Sequence, residues 1–438
     1  RRSIMKILLV NPPNSGKSIP EEQYGIETIK MIFRGEPLAL ETLAGNLADD
    51  EVRITDLKVT PDLLEADLED LKPDIVGITG MTCEANAVLN IAETVKSRSD
   101  AVVVVGGHHA TCDPEFFNRK CIDYVVLGIA KKGFRELADR LRAKKAADGI
   151  PGIAKTRPGS ALTYIPRHYT PADLVDDTPP RYDLVAHHRD HYVMSGVGGK
   201  IGFVASAFGC THRCFFCSVP DMTGGRYLTH SIDAVIRDME MLADIPLIRL
   251  VDANTFGDPA VAETLARRII EAGMQKPLVA DVRSDTVVRR PDLFRLWKEA
   301  GLATAVIGFE EVTDERLRAY NKKNDVAVNI QAMNILKELG IRIIGDFIVS
   351  PDYTEADFDR LQAFVEAQPI DLPIPSILTP VPGTPLYRQM KDRITVQDLD
   401  YYTFLNAVVP TRLPEKVFYE TYSRLLKQCL SRAAHEKN

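Results

Sequence analysis

The chain reads as two consecutive α/β units: a doubly wound parallel sheet, then a partial barrel of six β/α repeats with a short helical tail. Three observations predict this. Short β-branched apolar runs alternate with amphipathic helical stretches along most of the sequence. The alternation breaks over about 145–200, where proline, charge and turn pairs such as Pro151-Gly152, Pro158-Gly159 and Pro179-Pro180 accumulate. At 438 residues the chain is also too long for one ordinary domain. The expected divisions are a first domain at 5–150, a linker at 151–200, a barrel core at 201–385 and a helical region at 386–438.

In the first unit, strands are expected at 6–10, 52–57, 74–79, 101–107 and 124–128, with helices near 37–48, 61–70, 84–97 and 131–144. Five such strands match a flavodoxin-like sheet, whose ligand site lies outside the carboxyl ends of the strands. The segments at those ends, 11–18, 80–86, 106–114 and 128–134, carry small and glycine residues that let backbone approach a bulky ligand. In the linker, Tyr182, Tyr192 and Met194 are expected to pack, with a place at a substrate entrance as the alternative. The second unit is expected to run through strands 201–206, 247–251, 277–282, 303–308 and 342–349, with helices at 231–243, 259–273, 291–300, 328–339 and 354–367. The run 376–390 closes it. Functional side chains then belong at the carboxyl ends of the barrel strands.

Net charge is −7 and no basic stripe or arm is present, which argues against nucleic-acid and membrane-surface partners. The first apolar run is too short to span a bilayer and no small-residue cleavage site follows it, and Arg1 to Ile4 look like a tag remnant before a native Met5. Cys83, Cys112, Cys121 and Cys429 show no regular spacing, so a reducing cytoplasm is expected rather than a disulfide framework.

The remaining cysteines carry the chemistry. Cys210, Cys214 and Cys217 stand in the run AFGCTHRCFFCSVP, a C-x3-C-x2-C spacing that puts three soft ligands on one loop. An iron–sulfur cluster needs four ligands, so one iron stays open. A zinc site completed by His212 or a distant fourth ligand is the alternative, although no second cysteine or histidine pair follows at finger spacing. With Phe215 and Phe216 before the last cysteine, the motif resembles that of the radical S-adenosylmethionine (SAM) superfamily.

That resemblance implies a 4Fe-4S cluster whose open iron is chelated by SAM, and it extends along the barrel. At the end of the second strand, Asp252 with Asn254 would hold the SAM amino group. Arg283, two residues from Asp285, would meet its carboxylate or ribose, with an ion pair between the two as the alternative. Glu310 matches a G-x-E position facing ribose hydroxyls, Phe347 stands in a fifth-strand pattern that runs along the adenine, and Phe216 of the cluster loop is a further SAM contact.

The first unit resembles the cobalamin-binding domain that precedes this core in cobalamin-dependent radical SAM enzymes, the class B methyltransferases among them. The resemblance rests on Asn11-Pro12-Pro13, on Gly77 to Thr79, on Gly106-Gly107-x-His109-Ala110-Thr111 and on Thr379 to Tyr387, which reads TPVPGTPLY. It implies cobalamin contacts from Asn11, Pro12 and Pro13, from Thr79, Gly80, Met81 and Thr82, and from Gly106, Gly107, His108, His109 and Gly128. Two features depart from it. No D-x-H-x-x-G loop follows the first strand, and the 11–18 loop contains no histidine, cysteine or tyrosine, so it offers cobalt no strong ligand. An acidic G-E-G-E is replaced by Gly128-Ile129-Ala130-Lys131.

The function implied is methyl transfer from methylcobalamin to an unactivated carbon through a 5′-deoxyadenosyl radical. The substrate would be a small molecule or a protein or peptide side chain, with an external electron donor such as ferredoxin or flavodoxin. A non-methylating cyclase or rearranging enzyme and, from another class, a cobalamin- or SAM-binding regulator are the alternatives.

Overall fold

The computed structural model describes residues 3–28, 33–194 and 197–435. Arg1 and Arg2 of the expected tag remnant, two residues of the expected linker (195 and 196) and the last three residues of the expected helical region (436–438) lie outside them.

The first sheet holds β1 (Lys6–Asn11), β2 (Glu51–Asp56), β3 (Ile75–Ile78), β4 (Val102–Val105), β5 (Tyr124–Val126) and β6 (Ile153–Lys155). Their order is β2-β1-β3-β4-β5-β6, parallel throughout except for β6, which pairs antiparallel with β5. This is the doubly wound order, with its switch point between β1 and β3. β4 and β5 are shorter than the sequence predicts. Gly107 and Gly128 adopt φ of 93° and 66°, which takes the chain out of the strands at once. β6 lies beyond the expected boundary at 150, in the stretch read as linker; three residues on a sheet edge leave little periodic signal.

The second sheet holds β7 (Ile201–Val204), β8 (Leu247–Leu250), β9 (Leu278–Val282), β10 (Leu302–Glu310), β11 (Arg342–Val349) and β12 (Leu372–Ile377). They follow one another in chain order, all parallel, as an open six-stranded barrel. β12 begins before the expected 376 and contains Pro373 and Pro375, which an edge strand tolerates because alternate N–H groups point away from its single ladder. The C-terminal helix Glu415–His435 runs beside that edge, with the Tyr422 hydroxyl donating to the Pro375 carbonyl at 2.9 Å.

Inward positions of the barrel recur every second residue. Phe203, Leu247, Val279, Val306, Ile344 and Leu372 form an apolar layer, continuous with a core that includes Ile7, Leu9 and Leu40 of the first unit. One step nearer the carboxyl ends the inward residues are Ala205, Arg249, Asp281, Gly308, Asp346 and Ile374, so the lining turns from apolar to charged. The two units thus share a core below a polar chamber. Tyr182 and Tyr192 belong to that packing: both are buried, and their hydroxyls donate to the Phe203 carbonyl and to Asp56.

Candidate active site

The cluster loop leaves β7 at Val204 and is held at its start by Asp252. One carboxylate oxygen accepts from the backbone N–H groups of Ser206 and Ala207 at 2.7 and 2.8 Å, and the other from the Ser206 hydroxyl at 2.5 Å. Gly209, at φ 85°, passes so close to the chain at Arg226 that a Cβ would lie 2.1 Å from its carbonyl oxygen. Further along, Phe215 donates to Tyr320 O at 2.9 Å, Leu386 donates to Phe215 O at 3.1 Å, and Asn321 donates to Arg213 O at 2.7 Å. Phe216 meets the Tyr320 ring edge-on, centroids 5.7 Å apart.

Cys210, Cys214 and Cys217 are half-buried on this loop. Burial pushes the Cys217 thiol up to about 12 and raises that of Cys214. Binding to iron removes those protons, so the sites are dormant as thiols and ligating as thiolates. Among the described residues no three histidine, cysteine or acidic side chains close on a single ion. In a four-iron cluster each thiolate meets a different iron, so convergence on one point is not required.

The expected SAM contacts separate on inspection. The Asp252 carboxylate is spent on the cluster loop and is not left for an ammonium ion. Asn254 is different: it is 2 % exposed, its amide nitrogen lies 3.5 Å from Thr211 Oγ1, and its Oδ1 is buried without a partner. An orphaned acceptor beside the cluster loop fits an ammonium donor. Arg283 and Asp285 lie past the end of β9 at Val282, with Arg283 at the N-cap and Asp285 in the first turn of the following helix; they form the alternative ion pair at 2.9 Å, and Arg283 also donates to Lys322 O. Glu310 has φ of 66° at a register shift between β10 and β11, and its Oε1 accepts from buried Lys322 Nζ at 2.7 Å. A non-glycine residue held there is backbone strain at a functional wall. Phe347 faces the other way, into the helical layer against Phe309 and Phe364.

Next to it on the inward face is Asp346, to which no sequence motif assigns a role. Burial, with Glu310 and Asp281 nearby, holds its carboxyl up to about 8. Asp281, paired with Arg249 at 2.5 Å, is held up to about 6, again chiefly by burial. Strand alternation alone locates both once the register is known.

A cavity of about 280 Å3 lies between the units, near the small end of ligand pockets, roughly 300–1,000 Å3. Thr79, Gly106, Gly107 and Gly128 line it from the first sheet, as expected of strand ends beside a switch point. The other expected contacts sit elsewhere. Asn11 donates to Asp56 within the core, and the loop after it, past Pro12 and Pro13, packs on the segment 398–406, where Lys17 Nζ meets Asp398 at 2.6 Å. Gly80 accepts from His109 N, Met81 is 47 % exposed, and Thr82 lies 3.5 Å from His108. His108 reaches the cluster loop, its Nε2 2.6 Å from Ser218 Oγ, and His109 is enclosed by Phe116 and Phe117. The opposite wall comes from Ala205, Phe208, Met222, His230 and Val251, with Asp176 and Thr178 of the connecting segment. No local pattern marks these residues, because they converge only when the units dock. Lys131, in place of the acidic residue of the resembling pattern, donates from Nζ to the carbonyls of Val175 and Thr178, and burial lowers it to about 8.

Residues 28–138 match the B12 binding domain family, and residues 204–365 the radical SAM superfamily. An uncharacterized methyltransferase of Pyrococcus horikoshii is 31 % identical over 399 residues, 88 % of this chain and 83 % of that one. The chain belongs to the cobalamin-binding radical SAM enzymes. Cobalamin, SAM and a 4Fe-4S cluster are therefore its cofactors. The hopanoid C-3 methylase of Methylococcus capsulatus is 28 % identical over 400 residues, 89 % of this chain and 75 % of that one. The fold of this radical SAM enzyme is that of the methyltransferase TsrM from Kitasatospora setae, solved with cobalamin and a 4Fe-4S cluster bound: TM-score 0.72, 19 % identity, covering 98 % of this chain and 89 % of that one. Among the described residues no helix is long and apolar enough to cross a membrane.

Proposed function

We propose that the protein methylates an unactivated carbon of a substrate held in the barrel chamber. The observation that carries this reading is the meeting of strand ends from the first sheet with the approach to the cluster loop across one cavity, lined by Gly106, Gly107 and Gly128 on one side and Ala205, Phe208 and Val251 on the other. When bound, the cluster and SAM supply a carbon-centred radical, and cobalamin supplies a methyl group that such a radical can take.

The chain's own residues position and exclude. Cys210, Cys214 and Cys217 hold the cluster, and Asp252 fixes the start of their loop through three hydrogen bonds. Asn254 Oδ1 accepts from the SAM ammonium, and Glu310 turns its carboxylate, shared with Lys322, to the ribose side. Arg283 borders the same wall, its guanidinium fixed by Asp285 and Lys322 O. The apolar walls of the cavity keep water from reactive groups. Within the barrel itself, Arg249, Asp281 and Asp346 give the chamber a polar lining, suited to a small molecule or an inserted side chain bearing hydrogen-bond donors. An external electron donor such as ferredoxin or flavodoxin supplies the reducing electron in a reducing cytoplasm.

The test is anaerobic turnover of reconstituted protein with cobalamin, reductant and methyl-deuterated SAM. Methyl transfer requires S-adenosylhomocysteine as well as 5′-deoxyadenosine, the former only when cobalamin is present. Formation of 5′-deoxyadenosine alone, whatever the cobalamin content, favours the non-methylating alternative.

A further inference from the structure

Just past β4, the short helix His108–Cys112 stands between the strand ends of the first unit and the loop that carries the cluster cysteines. On the first-unit side it is held at three places. Thr111 Oγ1 accepts from Gly128 N at 2.8 Å, His109 N donates to the Gly80 carbonyl at 3.2 Å, and Thr82 Oγ1 lies 3.5 Å from His108 Nδ1. On the other side His108 Nε2 shares a 2.6 Å hydrogen bond with Ser218 Oγ, one residue past Cys217. Cys112 backs this contact, its Sγ 3.8 Å from the same nitrogen. Gly383 of the 379–387 run, at φ 88°, comes so close that a Cβ there would lie 3.1 Å from both Cys112 Cβ and the Cys112 carbonyl oxygen.

One imidazole thus reaches from the strand ends to the cluster loop. The Gly106-Gly107-x-His109 pattern leaves position 108 open, and the histidine that it does specify is enclosed by Phe116 and Phe117. His108 therefore belongs to this chain and not to the pattern. Gly106, Gly107 and Gly128 line the cavity from the first unit, while a SAM molecule on the open iron travels with the cluster loop. The spacing of the two cofactors is then the spacing of these two walls. Apolar burial is non-directional and lets docked units slide, whereas a hydrogen bond fixes both distance and angle. A misplacement of about 1 Å between reacting groups costs roughly a hundredfold in rate.

We infer that His108 is a positioning residue: bonded to Ser218, it keeps the cluster loop, and the SAM bound there, in register with the cobalt of a corrinoid at the strand ends. This rests on the cobalamin reading of the cavity.

The experiment uses the full chain holding cob(II)alamin and the oxidised, diamagnetic cluster, so that cobalt carries the unpaired electron and no turnover occurs. SAM labelled with 13C at its methyl group is added, and pulsed electron–nuclear double resonance reads the dipolar coupling of that carbon to cobalt, which falls with the cube of their distance. The wild-type chain shows one defined coupling. His108→Ala and Ser218→Ala each reduce it at least twofold while iron, cobalamin and SAM stay bound, and the double variant adds nothing further because both remove the same bond. His108→Gln, which can still bond Ser218, restores it. Coupling unchanged in both alanine variants overturns the inference, as does a wild-type chain that holds every cofactor without measurable coupling. Loss of the cofactors from both alanine variants marks a contact that only maintains the fold, and overturns it too. Failure of the wild-type chain to retain cobalamin overturns it together with the cobalamin reading of the cavity.

Discussion

Asp252 and Asn254 lie two residues apart, yet their surroundings assign them different work. Asp252 spends its carboxylate on the backbone at 206–207, and Asn254 keeps a buried oxygen unpaired. Asp252→Ala is expected to destabilise the loop by about 1–3 kcal/mol, the cost of leaving buried donors unmatched, and to lower both iron content and SAM binding. Asn254→Leu lowers SAM binding and leaves iron unchanged. Iron analysis beside equilibrium binding of SAM separates the two, and equal loss of iron in both variants contradicts the division. Asp346 sets a pH dependence. Its folded carboxyl, held up to about 8 chiefly by burial, keeps a proton that the unfolded chain sheds near 3.8. The stability this contributes is full below 3.8 and is lost as pH rises through about 8, with a slope of up to ~1.4 kcal/mol per pH unit. Denaturant melts of the cofactor-free protein across that range should show the fall, and Asp346→Asn should flatten it by about one proton's worth.

At the level of elements, the cluster loop is a strand exit, a left-handed glycine and three thiols, pinned at 320–321 and 386. Gly209→Ala would strain a φ of 85° and drive a methyl group into the Arg226 carbonyl. We expect that variant to bind less iron although every cysteine remains. Cys210→Ala, Cys214→Ala and Cys217→Ala should each remove the visible thiolate-to-iron absorbance. Undiminished iron in the glycine variant would show that the close approach at 226 does not shape the loop.

The whole molecule makes its cavity from two units that share a core, so neither wall is a site by itself. Val251, 40 % exposed, lines the barrel side of the cavity. Val251→Trp should weaken cobalamin retention about tenfold or more by filling the space, with the melting temperature little changed. Absorbance of cobalamin carried through gel filtration measures this, and full retention would place the cofactor away from that wall.

Two α/β units, most of their strands and the cluster cysteines were legible in the sequence because each rests on local information: a period of two or 3.6, a glycine at a turn, three thiols within eight residues. Side-chain direction was not local. Phe347 and Asp346 are adjacent, and only the register shared with β10 and β12 shows that the first faces the helices and the second the chamber. Asn11 donates to Asp56, and the loop after it packs on the segment 398–406, a partner that nothing in residues 11–18 announces. Asp176, His230 and Val251 meet only because hydrophobic burial docks the units, and sequence separation hides pairs of that kind. The sequence determined the chemistry available and the order of the elements, and the tertiary structure decided which side chains face one another across the cavity, because facing depends on docking and register and not on neighbours along the chain.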